Sequence, residues 1–264
     1  TVRGNASEYP SISTYEEFER RERIMDLPTA RVHMAQLNGK PFWVLEPAAS
    51  GETVDTDAME AFNATIQPWT QMDHHPNLLH VLGSGEHPFP WVAFEPADYP
   101  PAIETTADTP LAGMVEIAVE TCEALHHIYR YGAQYHNLTT ESVVVTDADT
   151  VLLRSIIDQF DTADPWYHAP EEFTNDPTEQ SSIYRVGLIL YELLTGTLPY
   201  QAFPDGDPQT VIQRSNVVPP SERIDGLSEQ VDQVLRRSLA KDPADRFETI
   251  LHFRDGLSRM YGKL

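Results

Sequence analysis

Cysteine is nearly absent from this chain: Cys122 is the only one, and lysine occurs at Lys40, Lys241 and Lys263 alone. A single thiol excludes an intrachain disulfide and a thiolate metal cluster, and it fits a reducing compartment. Basic residues are scarce overall, 18 Lys and Arg against 41 Asp and Glu, for a formal net charge of −23. Nucleic acid and anionic membrane would be repelled over most of such a surface. Long apolar runs are also missing. The longest, around Val186–Leu194, is interrupted by Glu192 and is shorter than the ~20 residues a membrane-spanning helix needs. We therefore expect a soluble, cytoplasmic protein with no nucleic-acid partner and no membrane insertion by this segment. A carboxylate-rich, lysine-poor surface suits a halophile cytoplasm, where salt screens self-repulsion over short distances; an acidic mesophilic domain is the alternative. The chain starts at Thr1 without an apolar leader, which suggests a piece of a longer protein. Asn-x-Ser/Thr triplets at Asn5, Asn63 and Asn137 carry no weight without secretion.

What is present divides into two patterns. Extended candidates cluster early, at Arg31–Leu37, Pro41–Leu45, Leu78–Leu82 and Trp91–Glu95, with one helix candidate at Asp57–Gln67. After the Pro- and Thr-rich stretch Tyr99–Pro110, apolar residues recur at helical spacing from Leu111 to Tyr131. Val143–Val145 and Val151–Leu153 read as a hairpin. A helix from about Ile183 to Leu194, apolar nearly all round and stopped at Gly196, should be buried. Shorter helices follow at Thr210–Arg214, Ser228–Leu239 and Thr249–Tyr261. The expected fold is α+β: a β-rich lobe over residues 1–96 with one helix, then a mainly helical lobe over residues 97–264.

Three segments resemble the protein kinase superfamily. Tyr167-His168-Ala169-Pro170-Glu171-Glu172 is similar to the motif that closes a kinase activation segment. Ser182 to Gly196, with Pro199, resembles the long central helix of the larger lobe. Leu239-Ala240-Lys241-Asp242-Pro243-Ala244-Asp245-Arg246-Phe247 resembles the stretch before the final helix. Their order and spacing are more specific than any one string. Gln134 to Val145 stands where the catalytic loop belongs, and His75-Pro76-Asn77-Leu78 resembles the turn after the small-lobe helix. The resemblance implies a bilobal kinase-like fold.

Phosphoryl transfer in that family needs metal held by an acid and an amide, a carboxylate near the attacking hydroxyl, and a lysine on the phosphates. Aligned on Leu138, the base position is Asn137, the lysine two residues on is Thr139, and the metal-binding amide is Ser142. An amide cannot accept a proton at neutral pH. The metal-binding acid, about thirteen residues further on, lands on Ser155, a poor sole magnesium ligand; Asp158-Gln159-Phe160 offers a slipped alternative. Ala169 follows Ser155 by only fourteen residues, short for an activation segment that presents a substrate. Between Asp26 and Val44 the only glycine is Gly39, too few for a phosphate-cradling loop. The lysine of the third strand becomes Leu45 or Glu46, its partner glutamate becomes Ile66, and Pro68 should kink or end that helix. Ser182 replaces the acid that usually anchors the catalytic loop.

The resemblance also implies what is kept. Glu171 and Arg246 match a buried ion pair tying the activation segment to the helical lobe. Phe94 takes the gatekeeper position, with Glu95 to Ala97 as the hinge, whose backbone could meet an adenine weakly and without metal. Histidines at 74, 75, 126, 127, 136 and 168 match no zinc spacing, so no metal is expected, and no cofactor. The acidic runs at Glu16–Glu22 and Asp161–Asp164 read as solvated faces. We expect a catalytically silent, kinase-like (pseudokinase) module for signalling or regulation, binding a protein partner or a fused domain. The rival is a divergent Ser/Thr kinase that uses Asp158 for metal and a carboxylate such as Glu141 as base.

Overall fold

The computed structural model describes residues 12–19, 21–48, 56–146, 151–154, 156–200 and 206–261. Two compact units emerge. The first holds Thr1–Asp98 with Tyr131–Ala133 and Arg154–Thr162, and the second Tyr99–Arg130, Gln134–Leu153 and Ala163–Leu264. Early strands followed by helices give the α+β class that the sequence patterns imply.

The first unit is built on β1 (Arg21–Asp26), β2 (Ala30–Leu37), β3 (Lys40–Pro47), α1 (Thr56–Thr70), β4 (Val81–Gly85) and β5 (Trp91–Phe94). These strands form a five-stranded sheet in the order β1-β2-β3-β5-β4, antiparallel throughout. β2 and β3 join through Asn38-Gly39, at φ 53° and 76°. That pair of left-handed residues is what a two-residue hairpin turn with the sheet's twist requires, and it explains the lone glycine. β1 is exposed along most of its length; the expectation of a solvated acidic run at Glu16–Glu22 missed both this edge strand and the aromatic segment before it. Pro68 does not stop α1, which runs on to Thr70. The helix ends two residues after the proline, so its missing N–H removes only one bond of the last turn.

The second unit contains α2 (Leu111–Arg130), β6 (Val143–Val145), β7 (Val151–Leu153), α3 (Glu179–Thr195), α4 (Pro208–Arg214), α5 (Glu229–Ser238) and α6 (Ile250–Tyr261). α3 is buried along nearly its whole length, with α2, α5 and α6 packed on it. It ends on Gly196 at φ 73°, whose N–H donates to Glu192 O, a left-handed stop that glycine adopts without steric cost. Gly187 allows the α3–α5 approach: a Cβ there would lie 2.5 Å from Ser238 Oγ. β6 and β7 pair antiparallel with Val144 opposite Leu152; the turn read at Asp147–Asp149 lies outside the described residues. Among the described residues no helix is long and apolar enough to cross a membrane.

Candidate functional site

Pairing register decides which face of the first unit's sheet each residue occupies, because directly opposed residues share a face. Val44 opposes His33 and Ala93, Phe42 opposes Ala35, and Arg31 opposes Glu46. One face therefore carries Ala35, Leu37, Phe42, Val44, Trp91 and Ala93, and it is covered by Ile12, Tyr15 and Phe18. Glu46 lies at the end of this covered face. Its carboxylate accepts the Tyr15 hydroxyl and sits 2.9 Å from His33 Nε2. Burial alone would raise its pKa, but these two partners outweigh it and hold the carboxyl below its usual range. Arg21 stacks over the Tyr15 ring, 4.2 Å from its centroid.

Leu45 points to the opposite face. There it shares company with Val32, Val92 and Phe94, all fully buried, and with Trp43, whose ring meets that of Phe94. Lys40 opposes Leu37 and Arg21 opposes Ala35, so these cations belong to the covered face. Of the two residues read at the lysine position, Leu45 is thus the one on the face away from the Tyr15 segment. No lysine, arginine or histidine of the five strands shares its face. α1 packs on β3 and β4 and buries Phe62, Ile66 and Trp69, so Ile66 is an apolar contact residue. Between β1 and β2 the chain turns in three residues, and the Leu27 N–H is consumed by Ala30 O at 3.0 Å.

The slipped alternative, Asp158, is buried in a short 3-10 helix with Phe160. Its Oδ1 accepts from Arg154 Nη2 at 3.2 Å, with the Asp158 side chain 1% exposed. The Phe160 ring packs on Phe62 at 4.9 Å between centroids. Ser155 lies outside the described residues. Of the hinge candidates, Ala97 is buried and Glu95 half-buried, in extended chain after β5.

In the second unit, Asn137, Thr139 and Ser142 are drawn into one closed turn. The Thr139 N–H donates to Ser142 Oγ at 3.1 Å, and the Ser142 hydroxyl donates to the Asn137 carbonyl at 2.8 Å. All three are buried. Ser142 therefore works as a turn-closing hydroxyl. Glu141, the base of the rival reading, is exposed.

Three polar anchors are built in this unit, two of which reach the turn through His136 and Thr140. Arg246 forks onto Glu171, with Nη1 to Oε1 and Nη2 to Oε2 both 2.7 Å, and also donates to Gln180 O at 2.8 Å. Burial would raise the Glu171 pKa, but the fork dominates and holds the carboxyl below its usual range. Arg185 from α3 forks onto Glu172 and donates a further bond to the His136 carbonyl. This link was not legible in the sequence, where position 182 drew attention instead; Arg185 stands one turn further along the same helix. Burial, followed by the nearby Arg185 charge, pushes the pKa of His136 down, and that of His168 likewise. Thr140, Tyr167 and Glu192 form the third anchor, with Thr140 Oγ1 2.8 Å from the Tyr167 hydroxyl and 3.1 Å from Glu192 Oε2. Burial raises the Tyr167 phenol and the Glu192 carboxyl. Among the described residues no cluster of three His, Cys, Asp or Glu is arranged to hold a metal.

No protein-family model matches the chain. It is 26% identical over 212 residues to the serine/threonine-protein kinase PknB of Mycobacterium leprae, covering 71% of this chain and 34% of that protein. Similarity extends to the serine/threonine-protein kinase PknI of Mycobacterium bovis, 27% over 246 residues, 88% of this chain and 40% of the relative. With Pkn1 of Myxococcus xanthus it is 26% over 226 residues, covering 78% of this chain and 32% of the relative. The matched region is thus a third to two-fifths of the length of these relatives.

Proposed function

We propose that this chain, a member of the protein kinase superfamily by its similarity to bacterial serine/threonine kinases, works as a catalytically silent binding or regulatory module. Its partner is a second protein or a fused domain. The observation that carries the reading is Leu45, which we take as the phosphate-contacting position: it is a fully buried leucine on a sheet face to which no strand contributes a lysine, arginine or histidine. A triphosphate there would meet the buried side chains of Val32, Val92 and Phe94 and no cation carried by the strands, so its desolvation would be poorly offset. The same direction is given by Asn137, Thr139 and Ser142, whose polar groups close a turn, and by an amide at the position of the base. The Asp158 carboxylate, which a working kinase of the slipped kind would need for metal, is engaged by Arg154. Any nucleotide contact left to the protein runs through the backbone of Glu95–Ala97, without metal or cofactor. The net charge of −23 favours a partner surface that is not anionic and a working medium rich in salt.

The rival, a divergent serine/threonine kinase built on Asp158 and Glu141, is separated by phosphotransfer. Incubation with labelled Mg·ATP in high salt should leave the chain and a generic basic substrate unlabelled. Transfer that vanishes in Asp158→Ala would establish the rival instead.

A further inference from the structure

The second unit holds a cavity of about 360 Å³ between α5 and the chain that leaves α4. Its apolar lining includes Val217, Pro220, Leu235 and Leu239. Three charged side chains join them: Asp232, Arg236 and Lys241. The carboxylate is already occupied, since Asp232 Oδ1 accepts the Ser221 N–H at 3.1 Å and Oδ2 accepts the Ser221 hydroxyl. The cations are in a different position. Lys241 Nζ donates to the Tyr200 hydroxyl at 2.7 Å and to the Ile212 carbonyl, both neutral acceptors. Among the described residues neither Lys241 nor Arg236 has a carboxylate within ion-pair distance, in a chain where carboxylates outnumber bases 41 to 18.

A half-buried ammonium whose hydrogen-bond partners among the described residues are neutral is costly, and here the cost is visible. Burial, with Arg246 close by, lowers the Lys241 pKa to about 8. The blander reading of Arg236 is a favourable cation in the last turn of α5. That reading does not explain Lys241, which follows the helix. Two of the helix's final carbonyls are bonded within the chain, Leu235 O to the Leu239 N–H at 2.9 Å and Arg237 O to the Ala240 N–H at 3.3 Å. A cavity in the size range of small-ligand sites, with an apolar wall and two cations against one carboxylate whose oxygens are held by Ser221, carries one net positive charge and recognises an amphipathic anion.

We propose that this cavity is a binding site for a small monocarboxylate with an aliphatic or aromatic body, the body lying on Leu235 and Leu239 and the carboxylate between Arg236 and Lys241. The site lies wholly within the second unit and is independent of the catalytic state of the chain.

The test uses the full chain and the probe 4-phenylbutyrate, with its primary amide and inorganic phosphate as controls, followed by two-dimensional NMR. The expected result is saturable shifts confined to residues 217–220 and 235–241, with the amide at least about tenfold weaker and phosphate alone silent, since affinity needs both halves of the ligand. Arg236→Gln should weaken the acid about tenfold while leaving the melting temperature unchanged. Near pH 8, binding of the acid should draw a proton from the buffer, seen as a buffer-dependent calorimetric heat, and this uptake should vanish in Lys241→Met. Equal binding of acid and amide, shifts elsewhere, no saturation below about 10 mM, or an unaffected Arg236→Gln variant would each overturn the assignment.

Discussion

Arg185 and Glu172 form a buried ion pair, with Nη2 2.7 Å from Oε1 and both side chains 2% exposed, and the same guanidinium holds the backbone carbonyl of His136. Glu172 Oε2 in turn accepts the Ala169 N–H at 2.6 Å. One arginine of the central helix thus ties two loops together. Arg185→Met should destabilise the protein by about 3–5 kcal/mol, because it strands a buried carboxylate. The double variant Arg185→Met/Glu172→Gln should recover part of that loss. Urea unfolding of the set measures both; equal stability of the single and double variants would contradict the pairing.

The Glu171–Arg246 fork gives a pH dependence with a definite sign. The Glu171 carboxyl has its folded pKa below the ordinary glutamate value of 4.5. Its contribution is therefore complete above that value and is lost as pH falls through the lower, folded value. The stability difference between the natural chain and Glu171→Gln should be constant at neutral pH and shrink on acidification below the ordinary carboxylate range. A difference that grows there would show the opposite sign of shift.

Gly187 sets helix propensity against packing. In an isolated helix, Gly→Ala gains about 1 kcal/mol. Here the new Cβ would stand 2.5 Å from Ser238 Oγ and 3.1 Å from Leu239 Cδ2, and overpacking of a close-packed core costs about 1–3 kcal/mol. Packing should win, and Gly187→Ala should lower the melting temperature. A raised melting temperature would mean that α3 and α5 separate without penalty.

These contrasts show what the sequence could convey. Periodicity located α2 and α3 because one stripe or an all-round apolar surface repeats every turn, and Gly196 marked the end of α3 through its left-handed requirement. Strand β1 was hidden because edge strands keep charged residues on show, so Arg21-Glu22-Arg23 carries no alternation. The covering segment was hidden for a related reason: Tyr15 and Phe18 are only two residues among acidic neighbours. At the site, Asn137, Thr139 and Ser142 stood out by position, but their closed turn was not legible. That Leu45 and Glu46 lie on opposite faces needed strand register, which no local pattern supplies. Arg185 was invisible as an anchor because its partners, Glu172 and His136, are distant in sequence.

Installing a lysine on the third strand should not restore chemistry. Leu45→Lys places an ammonium among the buried apolar side chains of Val32, Val92 and Phe94, and should cost more than about 3 kcal/mol of stability. Thermal melts and the phosphotransfer assay read the two consequences. Activity gained in this variant would mean that the remainder of a working site is already assembled.

The central claim is that the described residues present no arrangement for holding a metal against a nucleotide. Calorimetric titration of ATP into the protein, once with magnesium and once with EDTA at matched ionic strength, addresses it directly. The account predicts no binding, or weak binding that magnesium leaves unchanged; tightening by magnesium of about tenfold or more would contradict it.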